Sequence, residues 1–184
     1  MSVNTAISVF LKNEDIWIQR FPHMEMISKA PTPLTPTLQF EVSGLKDDTE
    51  YDASLTLEKL DSKRYGFDKK TQQWAESKKR SSKEFHIPES IGRIGYGKDL
   101  KDLNFEKIKI SSRIQDQHLE NVIYVQTMQK YIPVITITNL GTKETVVRVP
   151  FEMAQFIPVS SLLITFTKFR LLVCMSRSRS PIQS

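Results

Sequence analysis

The 184-residue chain carries 26 Lys and Arg against 21 Asp and Glu, a net charge of +5, and is 39% hydrophobic, which suits a folded core and excludes disorder throughout. Its single cysteine, Cys174, excludes an intrachain disulfide and a cysteine-based zinc finger, and points to a reducing intracellular compartment. No apolar run reaches the roughly 18 residues that a spanning helix needs, and the segment 1–5 lacks the basic-then-apolar order of a signal peptide, so no membrane partner is expected.

In chain order, Asn13 is a candidate N-cap for one short N-terminal helix, with Ile16, Trp17 and Phe21 on one side. Residues 37–42 alternate, with Leu38, Phe40 and Val42 on one face, until Ser43-Gly44 breaks the run. A second strand over 51–57 keeps Tyr51, Ala53, Leu55 and Leu57 in phase. The stretch 63–83 then sets Lys63, Arg64, Lys69, Lys70, Lys78, Lys79, Arg80 and Lys83 against Asp68 and Glu76. Such a run is usually a solvated, mobile loop; a polyanion-binding patch is the other interpretation. Gly92-Arg93-Ile94-Gly95-Tyr96-Gly97-Lys98 has the spacing of a phosphate-binding loop, but Asp99 stands where a magnesium-holding Ser or Thr belongs. A flexible surface turn is expected there instead. Residues 107–110 point Ile108 and Ile110 inward and Lys107 and Lys109 outward, and 122–125 are β-branched on both faces, as in a covered strand. Strands over 135–138, 146–149 and 155–157 follow. Short strands with polar turns between them, and no amphipathic helices of useful length, predict an all-β fold, a two-sheet sandwich or barrel.

Catalytic and metal chemistry find no support. His23, His86 and His118 stand alone, without ligand spacing. Cys174 has no neighbouring His or Asp, Ser81-Ser82 and Ser160-Ser161 lack a nucleophile-elbow context, and no carboxylate pair stands out as acid and base. An enzyme is not expected.

Several short patterns occur in a telling order. Glu25-Met26-Ile27 is followed by Phe40-Glu41-Val42-Ser43-Gly44-Leu45, then by Tyr51, Asp61, Lys63-Arg64-Tyr65 and Trp74. Pro88-Glu89-Ser90, Phe105-Glu106-Lys107-Ile108-Lys109-Ile110 and Asp116-Gln117-His118 come next. Met128-Gln129-Lys130-Tyr131-Ile132-Pro133 and Gln155-Phe156-Ile157-Pro158-Val159-Ser160 close the series. Order and spacing over residues 7–161 resemble the T-box family of DNA-binding transcription factors, with Met128-Gln129-Lys130-Tyr131-Ile132-Pro133 the strongest match, against the family's M-H-K-Y-x-P. The resemblance implies an immunoglobulin-like two-sheet β-sandwich that docks on duplex DNA, acts in the nucleus, and needs no metal, cofactor or small-molecule substrate. It implies a DNA-binding domain over 5–161. Near the matched K-L-K-L-T-N region, Lys107, Lys109, Ser111, Ser112 and Arg113 are the candidate DNA contacts, because ammonium, hydroxyl and guanidinium groups can reach phosphates or base edges. Lys29, just after Glu25-Met26-Ile27, is a further candidate for a phosphate. Arg64 is expected to be structural, beside Tyr65, and Trp17, Met128 and Tyr131 to be core.

Two departures from the family pattern matter. Where the family carries G-R-R-M-F-P, with an arginine that reads guanine, this chain has Pro31-Thr32-Pro33-Leu34-Thr35-Pro36, and threonine has no bidentate fork. After Ser161 the family's A-Y-Q-N segment and minor-groove helix are replaced by an apolar and then Arg/Ser-rich tail over 162–184. Weakened, less selective DNA binding is the expectation. The alternative is an interaction module that has lost DNA binding and pairs with other transcription regulators.

Overall fold

The computed structural model describes residues 6–78 and 90–163. Its strands are β1 (Ser8–Leu11), β2 (Met24–Ile27), β3 (Thr32–Pro33), β4 (Gln39–Ser43), β5 (Glu50–Lys59), β6 (Tyr65–Asp68) and β7 (Gln73–Glu76). After the gap come β8 (Ser90–Tyr96), β9 (Asp102–Asn104), β10 (Lys109–Ser111), β11 (Val122–Tyr124), β12 (Tyr131–Asn139), β13 (Thr145–Pro150) and β14 (Phe156–Val159). A short helix, α1 (Glu14–Ile18), lies between β1 and β2.

Period-two alternation sets the large sheet. Tyr51, Ala53, Leu55 and Leu57 share one face of β5 and are all buried. Antiparallel pairing places Leu55 opposite Ile135 and Ala53 opposite Ile137 on β12. On the other side of β12, Val149 and Val147 of β13 face the same two isoleucines. The full order is β2-β14-β12-β5-β8, with β13 also on β12. Two three-stranded sheets, β1-β4-β9 and β11-β10-β3, complete the body. Val9, Leu11, Phe40, Val42 and Leu103 from the first, and Ile110 and Ile123 from the second, join the large sheet in one core. Phe40 is fully buried, its ring 4.7 Å from Phe151 and 6.0 Å from Phe105. The fold is the all-β, immunoglobulin-like sandwich with a short helix, but the strands outside the large sheet form three small sheets, the third being the β6-β7 pair. Pro31, Pro33 and Pro36 explain part of the division. Proline donates nothing to a ladder, so β3 stops at two residues.

Four local expectations need correction. Helix α1 buries Trp17 alone; Ile16 and Phe21 remain 45% and 41% exposed, because one turn of helix has one inward position and Phe21 lies beyond its end. Asn13 makes no capping bond, and its amide donates to the Thr37 carbonyl at 2.8 Å. The segment 92–98 is not a surface turn. Residues 90–96 form β8, an edge strand antiparallel to β5, and Gly97–Asp99 make a single 3-10 turn. Its glycines mark close approach rather than a phosphate cradle. A Cβ on Gly97 would collide with the Lys46 carbonyl oxygen, and one on Gly92 would lie 2.7 Å from Asp52 Oδ1. Lys107 precedes β10, in a turn closed by the Ile108 N–H on the Phe105 carbonyl at 3.1 Å, rather than on the strand face.

Candidate nucleic-acid interface

Two patterns far apart in sequence meet through β2 and β14, which pair in parallel with Glu25 opposite Ile157 and Ile27 opposite Val159. Just past them, the Ser28 N–H donates to the Val159 carbonyl at 2.9 Å. The Ser28 carbonyl in turn accepts from Ser112 twice, from its N–H at 2.6 Å and its hydroxyl at 2.8 Å. The chain after β2 is thereby stitched to the end of β10. β3 extends the seam, with Thr32 opposite Ile110 and Pro33 opposite Lys109. The result brings Lys29, Ser112 and Arg113 together just past the end of β10, the central strand of the β11-β10-β3 sheet, while Lys109 opens that strand at its other end and Lys107 lies in the turn leading into it.

The six candidate residues differ in what they offer. Lys29, Lys107 and Lys109 are exposed and take part in no ion pair among the described residues. Ser112 is half-buried, with its hydroxyl proton given to Ser28. Ser111 is fully buried and its hydroxyl donates to Asp116 Oδ2 at 2.6 Å, so it does not face solvent. Arg113 is about half exposed, and its Nε and Nη2 donate to Asp116 Oδ2 at 2.8 Å and Oδ1 at 3.0 Å. The side chain of Asp116 is itself only 6% exposed. Hydrogen bonds from Arg113 and then Ser111 hold its carboxyl below the ordinary aspartate value, and the same pairing raises Arg113. Asp116 was singled out in the sequence only as part of a pattern. Its position three residues after Arg113 was the available signal, since a tight turn brings residues at that spacing together.

The basic stretch resolves differently. Lys63 pairs with Glu76 at 2.9 Å, and Lys69 and Lys70 occupy the exposed turn between β6 and β7; Lys79, Arg80 and Lys83 lie outside the described residues. The β6-β7 hairpin is docked, not free. Trp74 packs on Ile157 and Val159, and its indole N–H donates to Glu25 Oε1 at 3.0 Å. The other oxygen of Glu25 accepts the Leu163 N–H at 2.6 Å. The pattern at 128–133 serves this docking. The Met128 carbonyl accepts the Tyr65 N–H at 2.7 Å, and the Met128 N–H donates to the Pro158 carbonyl at 2.9 Å. Lys130 is buried, its ammonium 4.7 Å from the centre of the Tyr65 ring, and burial lowers its pKa. The Tyr65 hydroxyl donates to Asp61 at 2.6 Å. Tyr131 accepts the Gln126 N–H at 2.8 Å, and burial pushes its phenol up to about 12. Trp17 and Tyr131 are core as expected, and Met128 packs against the smaller cluster under the hairpin.

Among the described residues no group of three or more His, Cys, Asp or Glu could hold a metal ion, and no helix is long and apolar enough to cross a membrane. His86 and Cys174 lie outside them. The T-box family model matches residues 9–164. T-box protein 30/42 of Caenorhabditis elegans is 39% identical over 169 residues, covering 87% of this chain and 54% of its own length. T-box proteins 40 and 39 of the same organism are each 35% identical over 87% of this chain, covering 44% and 42% of theirs. The chain therefore spans about half the length of the curated relatives it matches. With the match running from β1 to the last described residues, and through the stitched seam, the chain belongs to the T-box family.

Proposed function

We propose that the chain binds duplex DNA in the nucleus as a non-catalytic transcription regulator of the T-box type. Lys29, Lys107 and Lys109 contact phosphate in this proposal, and Ser112 and Arg113 lie beside Lys29 at the end of β10. Ser111 acts from the interior by holding Asp116. The supporting observation is the Ser28–Ser112 seam, which brings Lys29 and Arg113, 84 residues apart in the chain, to the same end of β10, a strand that exposed Lys109 begins. Unpaired ammonium groups grouped in this way suit a polyanion, and their release of condensed counterions makes affinity fall with salt. The DNA-binding domain is taken as residues 5–161, with 162–184 as a separate tail whose first residues are tied back through Leu163 and Glu25. The Pro31–Pro36 segment lacks arginine and the sequence after Ser161 lacks the family's helix pattern, so binding is weaker and less selective than for a full T-box domain.

Fluorescence anisotropy with a T-site duplex and a scrambled duplex, over a range of salt, tests the proposal. The expected result is an affinity that falls linearly on a log–log salt plot and favours the T-site modestly. Absence of salt-dependent binding to either duplex would favour the interaction-module alternative.

A further inference from the structure

We infer that Arg113, braced by Asp116 and Ser111, is a guanine-reading side chain, which gives this end of the sheet its base preference. The inference rests on the DNA-binding proposal and specifies which chemical group on DNA the end of β10 selects.

The geometry is that of an arginine fixed from behind. Ser111 is fully buried at the end of β10, and its hydroxyl has two roles: it donates to Asp116 Oδ2 at 2.6 Å and accepts the Arg113 backbone N–H at 3.2 Å. Asp116 closes the turn through its own N–H, which donates to the Arg113 carbonyl at 3.0 Å. Its two oxygens take the Nε and one Nη2 proton of Arg113, at 2.8 and 3.0 Å. That pairing uses one edge of the planar guanidinium. A guanidinium has five N–H donors in a rigid fork. The two protons on Nη1 and the second on Nη2 have no partner among the described residues, and the side chain is 46% exposed.

The unused edge presents two parallel donors from Nη1 and Nη2. The base edge with two adjacent acceptors is guanine in the major groove, with N7 and O6; adenine offers N7 beside a donor amine. Bracing matters for selectivity. A free arginine reaches phosphate as easily as a base, whereas one held at Nε and Nη2 has lost most of its rotamer freedom before contact. Lys29, joined to this turn through Ser28 and Ser112, and Lys109 at the start of β10 are exposed and free of ion pairs among the described residues, and are the groups that meet phosphate. A surface ion pair on its own carries little weight. Here the carboxylate is buried and anchored by a second buried group, which a merely solvated pair would not need.

The test selects duplexes from a pool with randomised central positions, using the intact chain, the Arg113→Lys variant and the Asp116→Asn variant. The parent is expected to enrich guanine at one position. Replacing that guanine with 7-deazaguanine, which lacks the N7 acceptor, should cost about five- to 150-fold in affinity. Arg113→Lys keeps the charge but not the fork, so it should erase the guanine preference while leaving the salt slope and the remaining positions in place. Asp116→Asn should weaken the same preference, with folding checked by circular dichroism. An unchanged guanine preference in Arg113→Lys would overturn the inference and leave DNA binding standing. Enrichment without any guanine would do the same. A parent that binds no duplex would overturn the DNA-binding proposal itself, and this inference with it.

Discussion

Asp116 shows how a single side chain ties stability to acidity. Its folded-state pKa lies below the ordinary 3.8 because Arg113 and Ser111 stabilise the carboxylate. A depressed value means that the folded state binds the proton less readily than the unfolded chain. The pairing therefore contributes fully at pH values above the ordinary aspartate range and is lost as pH falls through the lowered value. Melting temperatures of the intact chain and Asp116→Asn should differ near neutrality, with the gap starting to narrow below about pH 4, the unfolded-state value, and closing only below the lowered folded-state value. A gap that stays constant down to acid pH would show that the carboxylate charge is not the source. Gly97 shows a steric requirement at the same scale. A methyl group there meets the Lys46 carbonyl, and backbone cannot move aside as a flexible side chain can. Gly97→Ala should lower stability by about 1–3 kcal/mol, read by chemical denaturation.

Among the elements, the β6-β7 hairpin has the most separable attachment. It holds to the body through Trp74 on Ile157 and Val159, the Trp74–Glu25 bond, and the Met128 carbonyl. Trp74→Ala should cost about 3 kcal/mol, the lower end for such a truncation because the cluster is small. The loss should appear in hydrogen exchange as faster exchange of hairpin amides, with the β5 and β12 amides retaining their protection. How much each element declared itself in sequence follows from how local its cause is. β5 was legible because four apolar residues in phase face a single core. β8 was not, since Gly92, Gly95 and Gly97 read as breakers, and the reasons for two of them are Asp52 and Lys46 on neighbouring segments. The helix was placed well, but its buried side was not. Trp17 turns inward, while Ile16 stays exposed on the next position round the helix.

Over the whole molecule, the meeting of Lys29 and Arg113 at the end of β10 owes its existence to long-range bonds that no window of sequence contains. The residues could be nominated from the family pattern, but that Ser28 joins Ser112, or that Ser111 is buried, depends on tertiary pairing. The same arrangement predicts a distributed electrostatic footprint. Lys109→Ala should reduce the salt slope of duplex binding by about one and weaken T-site and scrambled duplexes alike, measured by anisotropy titration. A loss confined to the T-site would assign Lys109 to base contact instead. Finally, β2 is completed by β14, and Ser28 bonds to Val159, 131 residues later. During synthesis on the ribosome, therefore, Met24 and Met26, both buried in the finished fold, gain the strand that β2 pairs with only after residue 159 has been made.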